Sequence, residues 1–342
     1  MKKLVLALML ISCLLILAAC GQKEPAEPAE GAAQEEEKVV IKIAHVEADT
    51  DTLQACGLLF KEYAEKESGG SIEVQLYPNS ELGADRQATE AVALGTVQMA
   101  LPGTATLTLY TPKFGICDMP FIFSDTNAAF QALDNELGTT LNESLANTGL
   151  INLGYYLIGE RHVSNNIRPI NEPADMKGID IRVMESPVYI GLFKALGANP
   201  TPINFGELYT ALQQGTVDAE DNPASIVYTS KFYEVQKYYS LTGHTLSFGG
   251  IVINEKFFNS LSEKQQNIIK EGTRKFLVDE QRAMKLKDAD SYLEKLKEEG
   301  MAINDITPEN KKKFMDAVTP MYENFKKDIP QELFDLAVKY NK

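Results

Sequence analysis

Residues 178–223, GIDIRVMESPVYIGLFKALGANPTPINFGELYTALQQGTVDAEDNP, constrain the fold of this chain more than any other stretch. Ile179, Ile181 and Val183 alternate with Asp180 and Arg182, the period of two expected for a short buried strand. A helical stretch, a Pro-rich crossing, a second helix stopped at Gly215 and a second strand follow. Strands that alternate with helices in this way predict a parallel sheet with crossover helices. Arg182 is the odd residue. A guanidinium on an apolar strand, near the point where strand gives way to helix, is well placed to meet a carboxylate with two parallel hydrogen bonds.

The same pattern occurs earlier. Residues 39–45 (VVIKIAH) and 72–76 alternate as strands, the acidic run at 49–52 caps a helix ending near Ser68, and a helix over 85–94 stops at Gly95 before a strand at 97–101. Residues 70–76 are echoed by 178–183, and 94–98 by 214–218, which predicts two lobes of similar α/β build. At 342 residues the chain exceeds the usual size of a single core. A strand at 150–158 leaves the first lobe, Arg161 follows it directly, and a strand at 246–254 returns, with Gly249 and Gly250 as a site of bending or close ligand approach. From Ser262 to Gly300 the periodicity is helical, roughly 55 Å at 1.5 Å per residue, so this helix either bridges both lobes or kinks near Gly272.

The N-terminus reads as a targeting segment. Lys2 and Lys3 precede an apolar run that ends in Leu17-Ala18-Ala19-Cys20, which resembles a bacterial lipobox. Residues 1–19 are expected to be a lipoprotein signal peptide, Cys20 the lipidated residue, and residues 20–37, rich in Pro, Ala and Glu, a disordered tether. Lobe I is then expected over residues 38–158 plus about 246–285, and lobe II over 159–245 plus about 286–342 with the C-terminal helices. Of the four Cys, only Cys56 and Cys117 remain in the fold; whether they pair is open, and Cys56 sits on an apolar helical face.

With 33 basic and 48 acidic residues the formal net charge is −15, a surface that repels nucleic acid. His45, His162 and His244 are far apart in sequence with no metal-ligand spacing, and there is no G-x-S-x-G, phosphate loop or dinucleotide fingerprint. No catalytic residue, metal or cofactor is expected, although a triad assembled in space would leave no such motif.

Lys177-Gly178-Ile179-Asp180-Ile181-Arg182-Val183 and the following GANPTPINFGELYTALQQGTVDAEDNP resemble the signature region of the TRAP-type extracytoplasmic solute receptors, the DctP-like binding proteins. The resemblance implies a two-lobed periplasmic-binding-protein-like α/β fold with a long helix bridging both lobes. It implies that Arg182 forms the selective ion pair with a ligand carboxylate, that Arg161 in Gly159-Glu160-Arg161 and Asn222 before Pro223 complete it, and that Phe205 walls the cleft. Taken alone, either Arg reads better as half of an internal salt bridge with one of the 48 acidic residues than as a ligand anchor, and Phe205 reads also as ordinary core packing. Glu185 either accepts hydrogen bonds from a ligand hydroxyl or ammonium or faces solvent; His45 either touches ligand or is structural. Sialic-acid receptors of this family carry a Glu where this chain has Gly103, and Pro-Asn where it has Met184-Glu185, so sialic acid is disfavoured.

The expected function is therefore that of a monomeric, lipid-anchored extracytoplasmic receptor that binds a small organic acid and delivers it to the integral-membrane TRAP permease subunits. Two alternatives remain open at this point: a ligand-sensing partner of a signalling receptor, and a secreted enzyme on a two-lobed scaffold.

Overall fold

Alternating apolar residues with β-branched side chains build most of the nine strands among the described residues: β1 (Val39–Ala44), β2 (Ile72–Tyr77), β3 (Met99–Ala100), β4 (Leu150–Asn165), β5 (Asp180–Val183), β6 (Asn199–Pro202), β7 (Ala219–Asn222), β8 (Tyr238–Asn254) and β9 (Ala302–Asp305). They form one sheet in the order β2-β1-β3-β8-β4-β7-β5-β6, with β9 paired to β8 off this path. The computed structural model describes residues 37–342. The expected leader at 1–19, Cys20 and all but the last residue of the expected tether at 20–37 lie outside the described residues.

Each end of the sheet is parallel and needs crossovers. Helix α1 (Thr52–Glu67) joins β1 to β2 and α2 (Asp85–Leu94) joins β2 to β3, while α3 (Pro187–Ala195) joins β5 to β6 and α4 (Phe205–Gln213) joins β6 to β7. Asp51 caps α1 through its side chain, which accepts from Leu53 N. The two halves share the order outer-central-inner, β2-β1-β3 and β6-β5-β7. This corrects one of the two echoes. β3 and β7 correspond as expected, but β2 is an outer strand and β5 is central, so the partner of β5 is β1. The true counterpart of β2 is β6, whose Asn-Pro-Thr-Pro has no alternation to reveal it.

The halves are joined by β4 and β8, a long antiparallel pair. Both strands run further than sequence predicts: β4 continues past Ile158 through Arg161 to Asn165, and β8 begins at Tyr238 rather than near 246. The expected lobe cuts at 158/159 and 245/246 therefore fall inside strands, and Arg161 lies within β4 instead of after it. Register shifts between Asn152 and Tyr155, Leu157 and Gly159, and Arg161 and Val163 interrupt the ladder. Bulges of this kind bend a strand without ending it, which lets one pair of strands serve both halves.

The sheet is covered on both faces. Alternation puts Ile41, Ile43, Tyr156, Ile158, Ile251 and Ile253 in one apolar cluster, and Ala44, Tyr155, Leu157 and Val252 in the other. Cys117 belongs to the latter and Cys56 to the former; both are buried and free.

The long helix is continuous but not uniform. α6 (Glu263–Gly272) passes into a π-helical stretch, Thr273–Glu280, and then into α7 (Gln281–Glu298). The irregularity starts at the expected place: a Cβ on Gly272 would lie 2.8 Å from Tyr63 Cδ1 and 3.1 Å from the Phe60 ring, so the helix crosses α1 in close contact there. Gln281 accepts from Leu157 N at 3.0 Å and donates to Leu157 O at 2.8 Å, completing the backbone of β4 where the ladder is interrupted. Lys285 donates to Asp51 at 2.8 Å and to Ser225 at 3.1 Å, so one ammonium ties the cap of α1 to α5 (Ala224–Thr229) in the other half. Among the described residues no helix is long and apolar enough to cross a membrane.

Candidate functional site

In an open α/β sheet, ligands bind beyond the carboxyl ends of the strands. Here the ends of both parallel halves converge on one cleft. β1 delivers Glu47, β5 delivers Arg182 and then Glu185, β6 leads to Asn204 and Phe205, and β7 delivers Asn222; α2 adds Asp85 and Arg86, and β4 adds Tyr156 and Arg161. Five of the six expected ligand-site residues, Arg182, Arg161, Asn222, Phe205 and Glu185, thus line one cavity. His45 does not. It sits behind the cleft, buried, with Nε2 at 2.9 Å from Gln54 Oε1, and burial lowers its pKa.

The two expected arginines differ sharply. Arg161 is 1% exposed, its Nε donates to Asp221 Oδ2 at 2.6 Å, and its Nη2 donates to the Asp221 carbonyl. Burial works against its charge, but Asp221, Tyr189 and Glu220 together outweigh burial and raise the pKa. His244 Nε2 lies 3.2 Å from the same Asp221 oxygen. Burial also opposes the Asp221 charge, yet Arg161 and His244 together hold its carboxyl below the ordinary value. Arg182 is 3% exposed and donates Nε to Ile203 O at 2.8 Å, and among the described residues no carboxylate pairs with it. Burial first, and the Arg161 charge second, push its pKa down to about 10. Arg182 is therefore a buried cation held in place by one carbonyl and by the Phe205 ring, whose centroid is 5.9 Å from Cζ.

The other residues are placed by short-range structure. Asn204 is the N-cap residue of α4 and Phe205 its first residue, so the start of the helix sets the ring beside Arg182. Phe205 also packs against Phe232 at 5.8 Å, so cleft wall and core are both true of it. Asn222 is 2% exposed and donates Nδ2 to Glu220 Oε2 at 2.5 Å, while Tyr239 donates its hydroxyl to Asn222 O at 2.9 Å. Burial raises Glu220 to about 7. Glu185 faces Arg86 Nη1 at 3.7 Å on the partly exposed rim. The close approach at Gly249 comes from within the protein: an added Cβ would lie 2.0 Å from Tyr156 Cζ.

Sequence reading missed Glu47, Asp85, Tyr156 and Asn204. Glu47 fell between the strand at 39–45 and the capping run at 49–52, and Asp85 was read as the start of a helix. The available signal was position, since Glu47 lies three residues past the end of the parallel strand β1.

The arginine cleft encloses about 50 Å³. A larger cavity of about 550 Å³ lies between β4, β8, α7 and the loop around Phe121, but no arginine lines it. Its basic side chains are His162, which burial holds neutral with a pKa of about 3, His244, 3.2 Å from Asp221, Lys285, already paired with Asp51, and Lys311, 6.0 Å from the Phe121 ring. Anion chemistry therefore favours the smaller cleft.

Comparison with known proteins agrees with this geometry. The family model for bacterial extracellular solute-binding proteins of family 7, DctP, matches residues 43–328. The 2,3-diketo-L-gulonate-binding periplasmic protein YiaO of Escherichia coli is 34% identical over 292 residues, covering 85% of this chain and 88% of that protein. Among solved structures, the sugar acid binding protein DctPAm of Advenella mimigardefordensis in complex with galactonate is 32% identical with a TM-score of 0.87, covering 90% of this chain and all (100%) of that one. A TRAP periplasmic solute binding protein of Sulfurospirillum deleyianum with bound succinate is 31% identical with a TM-score of 0.84, covering 88% and 98%. A match across most of the folded chain, joined to relatives above 30% identity over most of their length, places this chain in family 7 of the bacterial extracellular solute-binding proteins, the DctP family.

Proposed function

We propose that this chain is the extracytoplasmic receptor of a TRAP transporter, closing its two lobes on a small organic acid. Arg182 carries the proposal. A guanidinium that is 3% exposed with no carboxylate at ion-pair distance is only partly compensated by the more distant Asp221, Glu220 and Asp85, and a ligand carboxylate is the partner that its planar fork fits. Arg161, already committed to Asp221, acts behind it by fixing β4 against β7 and by adding positive potential. Asn222 and Phe205 contribute an amide and a wall.

The bulged strands β4 and β8 and the long helix are the elements that both lobes share, and hinge closure through them accounts for capture and release. The receptor performs no chemistry on its ligand. It is anchored through lipid on Cys20, acts as a monomer, and hands the acid to integral-membrane permease subunits. The relatives named for diketogulonate, galactonate and succinate support a carboxylate as the common element.

Isothermal titration of the exported protein against organic acids, amino acids and neutral sugars tests the reading. Binding confined to carboxylates and weakened at least tenfold by Arg182→Lys is expected, because an ammonium keeps the charge and loses the fork. Binding of neutral sugars alone, or unchanged affinity in Arg182→Lys, contradicts it. Mass analysis of the mature N-terminus tests lipidation, and light scattering tests the monomer.

A further inference from the structure

Helix α7 changes partners along its length. Near its start Met284 Sδ lies 3.7 Å from Cys56 Sγ of α1, and about two turns later Tyr292 packs against Tyr228 of α5 with ring centroids 5.7 Å apart. Lys285 stands where the helix passes from one half to the other. Its Nζ donates to Asp51 Oδ2 at 2.8 Å and to Ser225 Oγ at 3.1 Å, and its side chain is 5% exposed. Burial opposes the ammonium charge, but Asp51 foremost, with Glu47 and Tyr292, outweighs burial and raises the pKa.

The two arms of this ammonium hold opposite sides of the arginine cleft. Asp51 caps α1, four residues after Glu47, and Ser225 lies in the first turn of α5, three residues after Asn222. Any motion that separates α1 from α5 therefore breaks one arm. A buried charge that loses a hydrogen-bond partner is destabilised, so the bridge favours the arrangement in which both arms are made. Lys285 and Ser225 line the larger cavity and stand outside the arginine cleft, so their effect on an acid bound at Arg182 is exerted through the positions of the two halves.

We propose that Lys285 is a closure latch: with one arm on Asp51 and the other on Ser225 it fastens the two halves together, and so sets how long a ligand is held without touching it. This rests on the reading of the chain as a receptor that closes on an acid. Lys285 is a positioning residue in that cycle. A ligand enters the open form, in which one arm is already broken, so the latch has no part in association. It acts once the halves have met, and its loss appears in the rate of release. Because it stabilises closure rather than any contact with the ligand, its loss speeds the release of every acid by the same factor. A residue of the cleft wall would discriminate between acids instead.

Stopped-flow energy transfer in the exported protein tests this, with dyes on Glu62→Cys and Gln213→Cys, exposed positions of α1 and α4; Cys56 and Cys117 are buried. The probes are D-galactonate, D-glucuronate, D-erythronate and succinate, and the variants are Ser225→Ala, Ser225→Thr and Lys285→Met. Ser225→Ala removes one arm and leaves the Lys285–Asp51 pair intact. It is expected to raise the dissociation rate at least fivefold, by the same factor within twofold for every acid that binds wild type, with association rates within twofold of wild type. Ser225→Thr keeps the hydroxyl and should release ligand within twofold of the wild-type rate. Lys285→Met should release it at least as fast as Ser225→Ala; it also strips Asp51 of its partner, and if it fails to fold the two Ser225 variants decide. Unchanged release in Ser225→Ala, a change confined to association, factors that differ tenfold between acids, or equal release by Ser225→Thr and Ser225→Ala would each overturn the latch and leave the receptor reading standing. If none of the four acids binds wild type at millimolar concentration, both fall.

Discussion

Arg161 Nε donates to Asp221 Oδ2 at 2.6 Å, with the two side chains 1% and 0% exposed, and this pair fixes β4 to β7 directly beneath the cleft. Its burial makes it sensitive to the loss of either partner. Asp221→Asn leaves Arg161 charged and unpaired, and a loss of about 3–5 kcal/mol is expected. Chemical denaturation measures it. The double variant Arg161→Met/Asp221→Leu should recover most of the loss, because an apolar pair leaves neither member as an unpaired buried charge. An Asp221→Asn midpoint equal to wild type would show that the pair contributes little.

Arg182 has the opposite character. Its charge is buried without an ion-pair partner, so Arg182→Met should raise the melting temperature of the ligand-free protein while abolishing carboxylate binding. Differential scanning calorimetry with and without ligand separates the two effects. A melting temperature lowered in the absence of ligand would mean that Arg182 is a structural residue first.

Stability should fall as pH rises from 6.5 to 8.5. Burial raises Glu220 and Asp118 to about 7 and Glu47 to about 8. A carboxyl whose pKa is raised by folding holds its proton more tightly in the folded chain, so it stabilises at acid pH and loses that contribution as pH climbs through its folded value. His162, lowered to about 3 by burial, and His45, lowered likewise, act in the reverse direction, costing stability as pH falls below 6.5. The unfolded histidines lose their remaining charge over roughly the next pH unit, where the three carboxyls outnumber the two histidines, and above about pH 7.5 only the carboxyls change. Melting temperatures across the window check this, and Glu220→Gln should flatten the slope. A curve that rises with pH in this window contradicts the assignment.

Gly249→Ala should destabilise the fold by about 1–3 kcal/mol through overpacking. The new Cβ would meet Tyr156 Cζ at 2.0 Å and Cε1 at 2.1 Å, and the Tyr156 hydroxyl is held by Leu101 O at 2.7 Å. Because Tyr156 lines the cleft, ligand affinity should fall with stability. Adding Tyr156→Leu should restore stability; if it does not, the ring is not the obstacle.

Much of this was legible in the chain. Alternation gave β1 and β5, Asp51 in the acidic run at 49–52 started its helix as read, a capping box of Ser262 and Gln265 starts α6 where the helical periodicity begins, and Gly95 in the left-handed region ends α2. These signals are local, set by backbone sterics and by satisfying the first few helical N–H groups. The length of β4 and β8 was not legible. Arg161, His162 and His244 look like loop residues, and they lie in strands because Asp221, Gly243 N and Thr242 satisfy them from other strands or positions. The outer strand β6 was hidden for a related reason: Asn-Pro-Thr-Pro is strand only because β5 offers it a parallel edge.

The sequence by itself determined the parallel α/β halves and the long helix, because period, caps and crossover length are properties of neighbouring residues, while the gathering of Arg182, Phe205 and Asn222 was implied by the family resemblance alone. Only the tertiary structure decided which arginine is free. Arg161 and Arg182 are both buried cations on strands, and nothing local distinguishes them. Arg161 is neutralised because β7 sets Asp221 beside it, while Arg182 meets a carbonyl and an aromatic ring. That difference arises from contacts between strands far apart in the chain, and ion pairing depends on distance in space rather than along the sequence.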